Sequence, residues 1–265
     1  TFEQFLKEYP DDAQVRAAQM HIGECYFFGK QWKAALAAFE NLPGKKPEGR
    51  VFRQYNFIVG SCHYQLKDWE QAVDSYQLFL SRFPKAQNAD TALMNTGRAL
   101  EEQKQTDNAL AVYEQIAEDF PKSIYHSQAA LKAGKIQFEG KQYAKARAML
   151  KSTAQKKGDP NQPLAIYYLG FTEAEAGETD EAIVWLEQLA REFPKDPNAS
   201  EARMKVGELQ ISAKKFDAAQ KTYEKFLGEF PKHKRADDAY YYLGGAQAGL
   251  EQWDAAIKSF QSVGK

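Results

Sequence analysis

Apolar residues along this chain recur at helical spacing on pairs of short segments. The first segment of a pair ends near a turn such as Gly29-Lys30 or Ala176-Gly177-Glu178, and the second runs to an aromatic-proline stop. Proline cannot continue a helix, so Tyr9-Pro10, Phe83-Pro84, Phe120-Pro121, Phe193-Pro194 and Phe230-Pro231 predict helix ends. Asp159-Pro160 and Asp196-Pro197 then read as an N-cap followed by proline at the first helical position.

The pairs repeat. Glycines fall at Gly23, Gly60, Gly97, Gly134, Gly170, Gly207 and Gly244, at intervals of 37, 37, 37, 36, 37 and 37. Twelve residues after each glycine comes an alanine: Ala35, Ala72, Ala109, Ala146, Ala182, Ala219 and Ala256. Four residues further comes a large apolar side chain: Phe39, Tyr76, Tyr113, Leu150, Leu186, Tyr223 and Phe260. Proline follows the glycine by 24 residues at Pro47, Pro84, Pro121, Pro194 and Pro231, whereas the fourth unit has Gly158 there. Glycine and alanine on facing helices predict a close backbone approach, with the aromatic residues filling the space around it.

Leu169-Gly170, Ala182-x-x-x-Leu186 and Pro194, like Val206-Gly207, Ala219-x-x-x-Tyr223 and Pro231, resemble the tetratricopeptide repeat signature. The resemblance covers essentially the whole chain. It implies an all-α, right-handed superhelical solenoid of antiparallel helix pairs. The expected organisation is a single solenoid domain with repeats at roughly 12–47, 48–84, 85–121, 122–158, 159–194, 195–231 and 232–265. Residues 1–10 read as the end of a preceding repeat, because Phe2, Phe5 and Pro10 align with Tyr76, Phe79 and Pro84. The chain is therefore expected to be a fragment of a longer protein, with uncapped ends able to self-associate. The period exceeds the usual 34 of the family. Its extra residues, near Lys85-Ala86-Gln87-Asn88-Ala89, are expected to add a turn to each first helix.

Two places break the period. The segment from Asn41 to Arg50 is rich in Pro, Gly and basic residues and predicts a looser junction. The segment from Lys156 to Pro163 lacks the Phe-Pro stop and reads as drift of the repeat, or as a hinge or partner-contacting loop.

Composition removes several functions. There are 35 Lys+Arg against 36 Asp+Glu, so the formal net charge is −1, without the basic excess of a general nucleic-acid binder. No apolar run approaches the roughly 18 to 20 residues of a membrane span. The four histidines, His21, His63, His126 and His233, have no metal-ligand spacing, and no nucleophile motif or phosphate-binding glycine loop occurs. No cofactor, metal site or catalytic residue is expected. Cys25 and Cys62 share a column with Ala99 and Ala246, which predicts free, buried thiols. Trp32, Trp69 and Trp253 share another column with Tyr143 and Phe216, which predicts packing between paired helices.

In the family the first helices line the concave face, with positions three before, one after and four after the glycine facing in. The resemblance therefore implies a partner-binding groove of Met20, Glu24, Phe27, Phe57, Ser61, Tyr64, Met94, Arg98, Leu131, Lys135, Phe138, Tyr167, Phe171, Met204, Glu208 and Tyr241. Glu101, Ala174, Ile211, Gly245 and Ala248 fall in the same columns. Met, Phe and Tyr supply contact area. Arg98, Lys135 and the nearby Lys132 make the centre basic, and Glu24 and Glu208 lie towards the ends. A partner with an acidic middle and apolar anchors would match. The competing reading is that longer first helices pack these residues against one another. The Lys/Asn clamp of relatives that bind carboxylate-ended peptides is missing, since the one-after column reads Glu24, Ser61, Arg98, Lys135.

Units reading Phe79-Leu80-x-x-Phe83-Pro84 or Phe226-Leu227-Gly228-Glu229-Phe230-Pro231 are similar to a bacterial envelope subgroup. That subgroup includes the tetratricopeptide lipoprotein of outer-membrane barrel assembly and the Tol-Pal accessory protein. The expectation is a non-catalytic scaffold binding a protein or peptide partner in the periplasm or at the outer membrane. The alternatives are a cytosolic adaptor or co-chaperone, and the targeting arm of a larger enzyme.

Overall fold

A computed structural model of the chain describes residues 15–40 and 49–264, with residues 1, 4, 8 and 9 before them. Phe2, Phe5 and Pro10, on which the half repeat rests, and positions 41–48 of the irregular junction lie outside the described residues.

Fourteen helices are described. The unit Thr1–Ala129 holds α1 (Val15–Phe28) with α2 (Trp32–Glu40), α3 (Gly49–Leu66) with α4 (Trp69–Arg82), and α5 (Ala89–Glu102) with α6 (Thr106–Asp119). The helix α7 (His126–Glu139) begins at the end of that unit. The unit Ala130–Lys265 contains most of α7, which pairs with α8 (Tyr143–Gln155). It continues with α9 (Gln162–Glu175) and α10 (Thr179–Glu192), then α11 (Ala199–Ser212) and α12 (Phe216–Glu229), then α13 (Ala236–Gly249) and α14 (Trp253–Gln261). The chain is all-helical among the described residues, and each pair is one repeat.

The repeat glycine works differently from the expected backbone contact. Each faces the large side chain sixteen residues on. A Cβ at Gly97 would stand 2.5 Å from a ring carbon of Tyr113, and one at Gly170 would stand 2.6 Å from Leu186. The ring or leucine branch occupies the volume that a Cβ would need. Tyr76, Tyr113, Leu150, Leu186 and Tyr223 are completely buried there. The alanine of each pair, from Ala35 through Ala219, is also fully buried.

The aromatic-proline stops are observed: α4, α6, α10 and α12 end at the residue before Phe83, Phe120, Phe193 and Phe230. Two local expectations are corrected. In the third repeat the extra residues do not lengthen the first helix, since α5 and α6 are both 14 residues long, whereas α3 has 18 residues. Residues 84–88 instead make a turn, closed by Ala86 N–H donating to the Phe83 carbonyl and Ala89 N–H to that of Ala86. Asp159 and Asp196 are not N-caps, because α9 and α11 start three residues later. Their carboxylates accept from the backbone N–H of Asn161 at 2.9 Å and Asn198 at 2.8 Å, so they shape the turn before each helix.

Between the helices of a pair the chain turns through one left-handed residue, seven after the repeat glycine. It is Lys30, Lys67, Lys104, Lys141, Lys214 or Glu251, with φ between 56° and 64°, and Gly177 with φ 86°. Only Gly177 takes this conformation without a Cβ penalty. At the second irregular junction the Gln162 side chain donates to the Ala154 carbonyl at 3.1 Å and is itself buried, so it ties α9 to the end of α8.

A candidate protein-interaction surface

The three first-helix columns divide by burial. Three residues before the glycine, Met20, Met94, Leu131 and Met204 are buried, so they pack and do not offer surface. Met20 belongs to a cluster with Ala35, Phe39, Ile58 and Cys62, and Met204 to one with Tyr223 and Phe226. Phe57 and Tyr167 in that column are partly exposed, and Tyr241 is 59% exposed. One after the glycine, Ser61 is also buried: its hydroxyl donates to the Phe57 carbonyl at 2.7 Å and accepts from the Tyr76 hydroxyl at 3.1 Å. For these five residues the groove assignment is corrected to packing. Glu24, Arg98, Phe171 and Glu208 remain partly exposed, and Lys135 and Gly245 are exposed. The four-after column, with Phe27, Tyr64, Glu101, Phe138, Ala174, Ile211 and Ala248, is partly exposed throughout.

Those aromatic residues have one edge in the fold and one in solvent. Phe27 meets Trp32 and Tyr64 meets Trp69, each with ring centroids 5.5 Å apart, and Phe138 meets Tyr143 at 6.2 Å. Trp32, Trp69 and Tyr143 thus pack between the two helices of their pairs, as the column predicted. Trp253 in the last pair is 61% exposed.

In the first unit, Glu24 accepts from Gln54 Nε2 at 2.6 Å and lies 2.9 Å from His21 Nδ1. Arg98 donates to Gln128 Oε1 at 2.9 Å and holds no ion pair among the described residues. Glu101 accepts from the Tyr113 hydroxyl at 2.7 Å. Burial and then this carboxylate push the Tyr113 phenol far above its ordinary range, so it stays a neutral donor. A cleft of about 250 Å³ opens between α1, α3 and the turn after α4. Phe27, Phe28, Phe57 and Phe79 wall it, and Arg53, Gln54, Gln87 and Asn88 rim it.

In the second unit, Tyr167 packs on Phe171 with centroids 4.6 Å apart, and Phe138 meets Tyr168 at 5.9 Å. Lys135 Nζ lies 6.0 Å from the Tyr168 ring centre, and Lys205 Nζ lies 5.8 Å from that of Phe171. Glu208 is not a free charge: Arg235 binds it at 2.8 Å together with Glu201 at 2.8 Å and Asp238 at 3.0 Å.

The thiols differ from the expected pair of buried groups. Cys62 is buried and unpaired, and burial pushes its pKa up to about 12. Cys25 is exposed.

Columns alone overlooked Phe28, Arg53, Tyr168 and Lys205. For Phe28 a signal exists. It stands five after its glycine, where the other repeats carry Gln65, Glu102, Glu139, Glu175, Ser212 and Gly249.

With paired helices, glycine locks and half-exposed first-helix aromatics established, the class is a helix-pair repeat protein. The chain belongs to the tetratricopeptide repeat family. A family model described as a tetratricopeptide repeat-like domain matches residues 62–236, and a tetratricopeptide repeat model matches 17–48 and 238–265. No curated protein sequence matches the chain. Among solved structures, MamA is similar over 66% of this chain and 90% of its own, at 23% identity and TM-score 0.55. The C-terminal part of a TPR repeat-containing protein from Cytophaga hutchinsonii aligns over 92% and 95%, at 17% identity and TM-score 0.61. YrrB, described as a TPR protein with an unusual peptide-binding site, aligns over 72% and 95%, at 20% identity and TM-score 0.51. These likenesses show the fold. No described helix is long and apolar enough to cross a membrane.

Proposed function

We propose that this chain is a non-catalytic scaffold that holds a segment of a partner protein against its first helices. We further propose that it thereby helps to assemble a complex in the bacterial cell envelope. One observation carries the reading. Phe27, Phe57 and Tyr64 in one unit, and Phe138, Tyr167 and Phe171 in the other, keep ring surface in solvent. The core does not need that surface, because the fully buried Tyr76, Tyr113, Leu150 and Leu186 already fill the repeats. Half-exposed aromatics beside cations are typical anchors for a partner. The peptide-binding site in the description of YrrB supports the same use of this fold. The envelope assignment rests on the Phe-Leu-x-x-Phe-Pro units, and a periplasmic or outer-membrane-associated position follows from it.

The test is photo-cross-linking in the native cell. A photoreactive residue replaces Arg98 in one unit or Tyr167 in the other, with Ile124 and Val184 as exposed controls (87% and 63%). Capture of one envelope protein from both sites, with capture from Tyr167 lost when Arg98→Glu and Lys135→Glu are added at unchanged helicity, supports the proposal. Capture from the controls alone would overturn it.

A further inference from the structure

The first-unit cleft carries a more specific recognition chemistry. Phe28 ends α1 with 73% of its surface exposed. Its ring meets Phe27 edge-on with centroids 5.5 Å apart. At this position every other repeat is polar or glycine, so the repeat fold does not require a phenylalanine there. Phe28 thus adds exposed apolar surface at the mouth of an apolar cleft, where a partner can reach it. The cleft is small. An apolar cavity of about 150 Å³ holds a benzene ring. A space of about 250 Å³ therefore takes one large side chain and the start of its backbone.

The rim adds a sign. Arg53 is partly exposed and holds no ion pair or hydrogen bond through its side chain among the described residues. The carboxylate of Glu24, on the neighbouring helix, is already satisfied by Gln54 and His21. The side-chain amides of Gln87 and Asn88 likewise have no hydrogen-bond partner among the described residues, and Asn88 caps α5 without a side-chain bond. Unused donors and an unpaired guanidinium suit a carboxylate and a peptide backbone.

We propose that this cleft binds an internal partner segment in which an acidic residue adjoins a large apolar one. The apolar side chain lies on Phe28 and Phe57, the carboxylate meets Arg53, and the backbone is bound by Gln87 and Asn88. This assignment rests on the scaffold reading above and names the chemistry of its partner.

The probe is a fluorescein-labelled peptide blocked at both ends, Gly-Ser-Asp-Glu-Phe-Leu-Gly-Ser, titrated by fluorescence anisotropy against the 265-residue chain. The blocked end removes the terminal carboxylate as the recognised acid. Saturable binding is expected. Phe28→Ser and Arg53→Glu should each weaken it about tenfold, equivalent to about 1.4 kcal/mol. Circular dichroism should not change. A peptide with Lys-Lys in place of Asp-Glu should bind the wild type poorly and the Arg53→Glu chain better. Absence of saturable binding, or binding that ignores both substitutions, overturns the assignment. If that occurs while Tyr167 still captures its partner in cells, only the cleft assignment falls. If both are silent, the scaffold reading falls with it.

Discussion

Placing an alanine at Gly97 sets two known effects against each other. Gly97 lies inside α5, where alanine is preferred to glycine by about 1 kcal/mol. The added Cβ would meet the Tyr113 ring at 2.5 and 2.8 Å. That ring is fully buried, and its hydroxyl is held by Glu101 at 2.7 Å, so it cannot swing aside without losing a charge-assisted hydrogen bond. Overpacking of this kind costs about 1–3 kcal/mol, and a strained bond to a carboxylate about 1.5–3 kcal/mol more if it breaks. Steric cost exceeds propensity gain, and Gly97→Ala should lose about 2 kcal/mol or more. Gly245 is the control. It lies inside α13 with nothing within 4 Å of an added methyl, so Gly245→Ala should gain up to about 1 kcal/mol. Repeat arrays need not unfold in one step, so the assay is hydrogen exchange resolved to α5, α6 and α13, beside urea unfolding followed by far-ultraviolet circular dichroism. The reasoning fails if Gly97→Ala matches the wild type, or if Gly245→Ala loses as much.

Other outcomes follow from separate contacts. Arg147→Ala should cost about 2–3 kcal/mol by urea midpoint, because it strands the buried Glu173, which Arg147 holds through its Nε at 2.8 and 2.9 Å. Arg147→Lys should restore only part of this, since an ammonium cannot make the two-pronged contact. Lys104→Gly should raise stability by about 0.5–1 kcal/mol by relieving its positive φ, and Gly177→Ala should lower it by a similar amount. In alkali, the folded state binds a proton on Cys62 more tightly than the unfolded state. The associated stability is complete below the ordinary thiol pKa of 9.0 and falls as pH rises towards about 12. Cys62→Ala should flatten that part of the pH–stability curve. At pH 8 a thiol reagent should modify Cys25 in the native chain and reach Cys62 only after unfolding.

The repeat was legible because its determinants are local. A proline stop acts on its own helix, and a glycine sixteen residues from a ring is a contact within one pair. The turns at Gly29-Lys30 and Ala176-Gly177-Glu178 were legible, but their left-handed residue was not, because only Gly177 among the seven is a glycine; lysine holds the position in five repeats and Glu251 in another. A lysine does not by itself signal a positive φ, which L side chains rarely adopt. Burial within the groove columns was also illegible. Met94 and Tyr241 occupy the same column, yet one is fully buried and the other exposed, because coverage depends on the neighbouring helices. Arg53 and Phe28 come together only through the packing of α1 on α3. Family membership and helix order were therefore readable, whereas the cation-rimmed cleft emerges only once the helices are packed.

Each glycine–ring lock spans sixteen residues of chain, as Gly23 with Phe39 and Gly60 with Tyr76 show. The loop to be closed is short, so its entropic cost is low and closure is fast. A growing chain gains its next lock each time about 37 residues emerge, which takes roughly 2–7 s at about 5–20 residues per second. Folding can thus keep pace with synthesis, and an emerging repeat need not wait for the C-terminus to bury its rings.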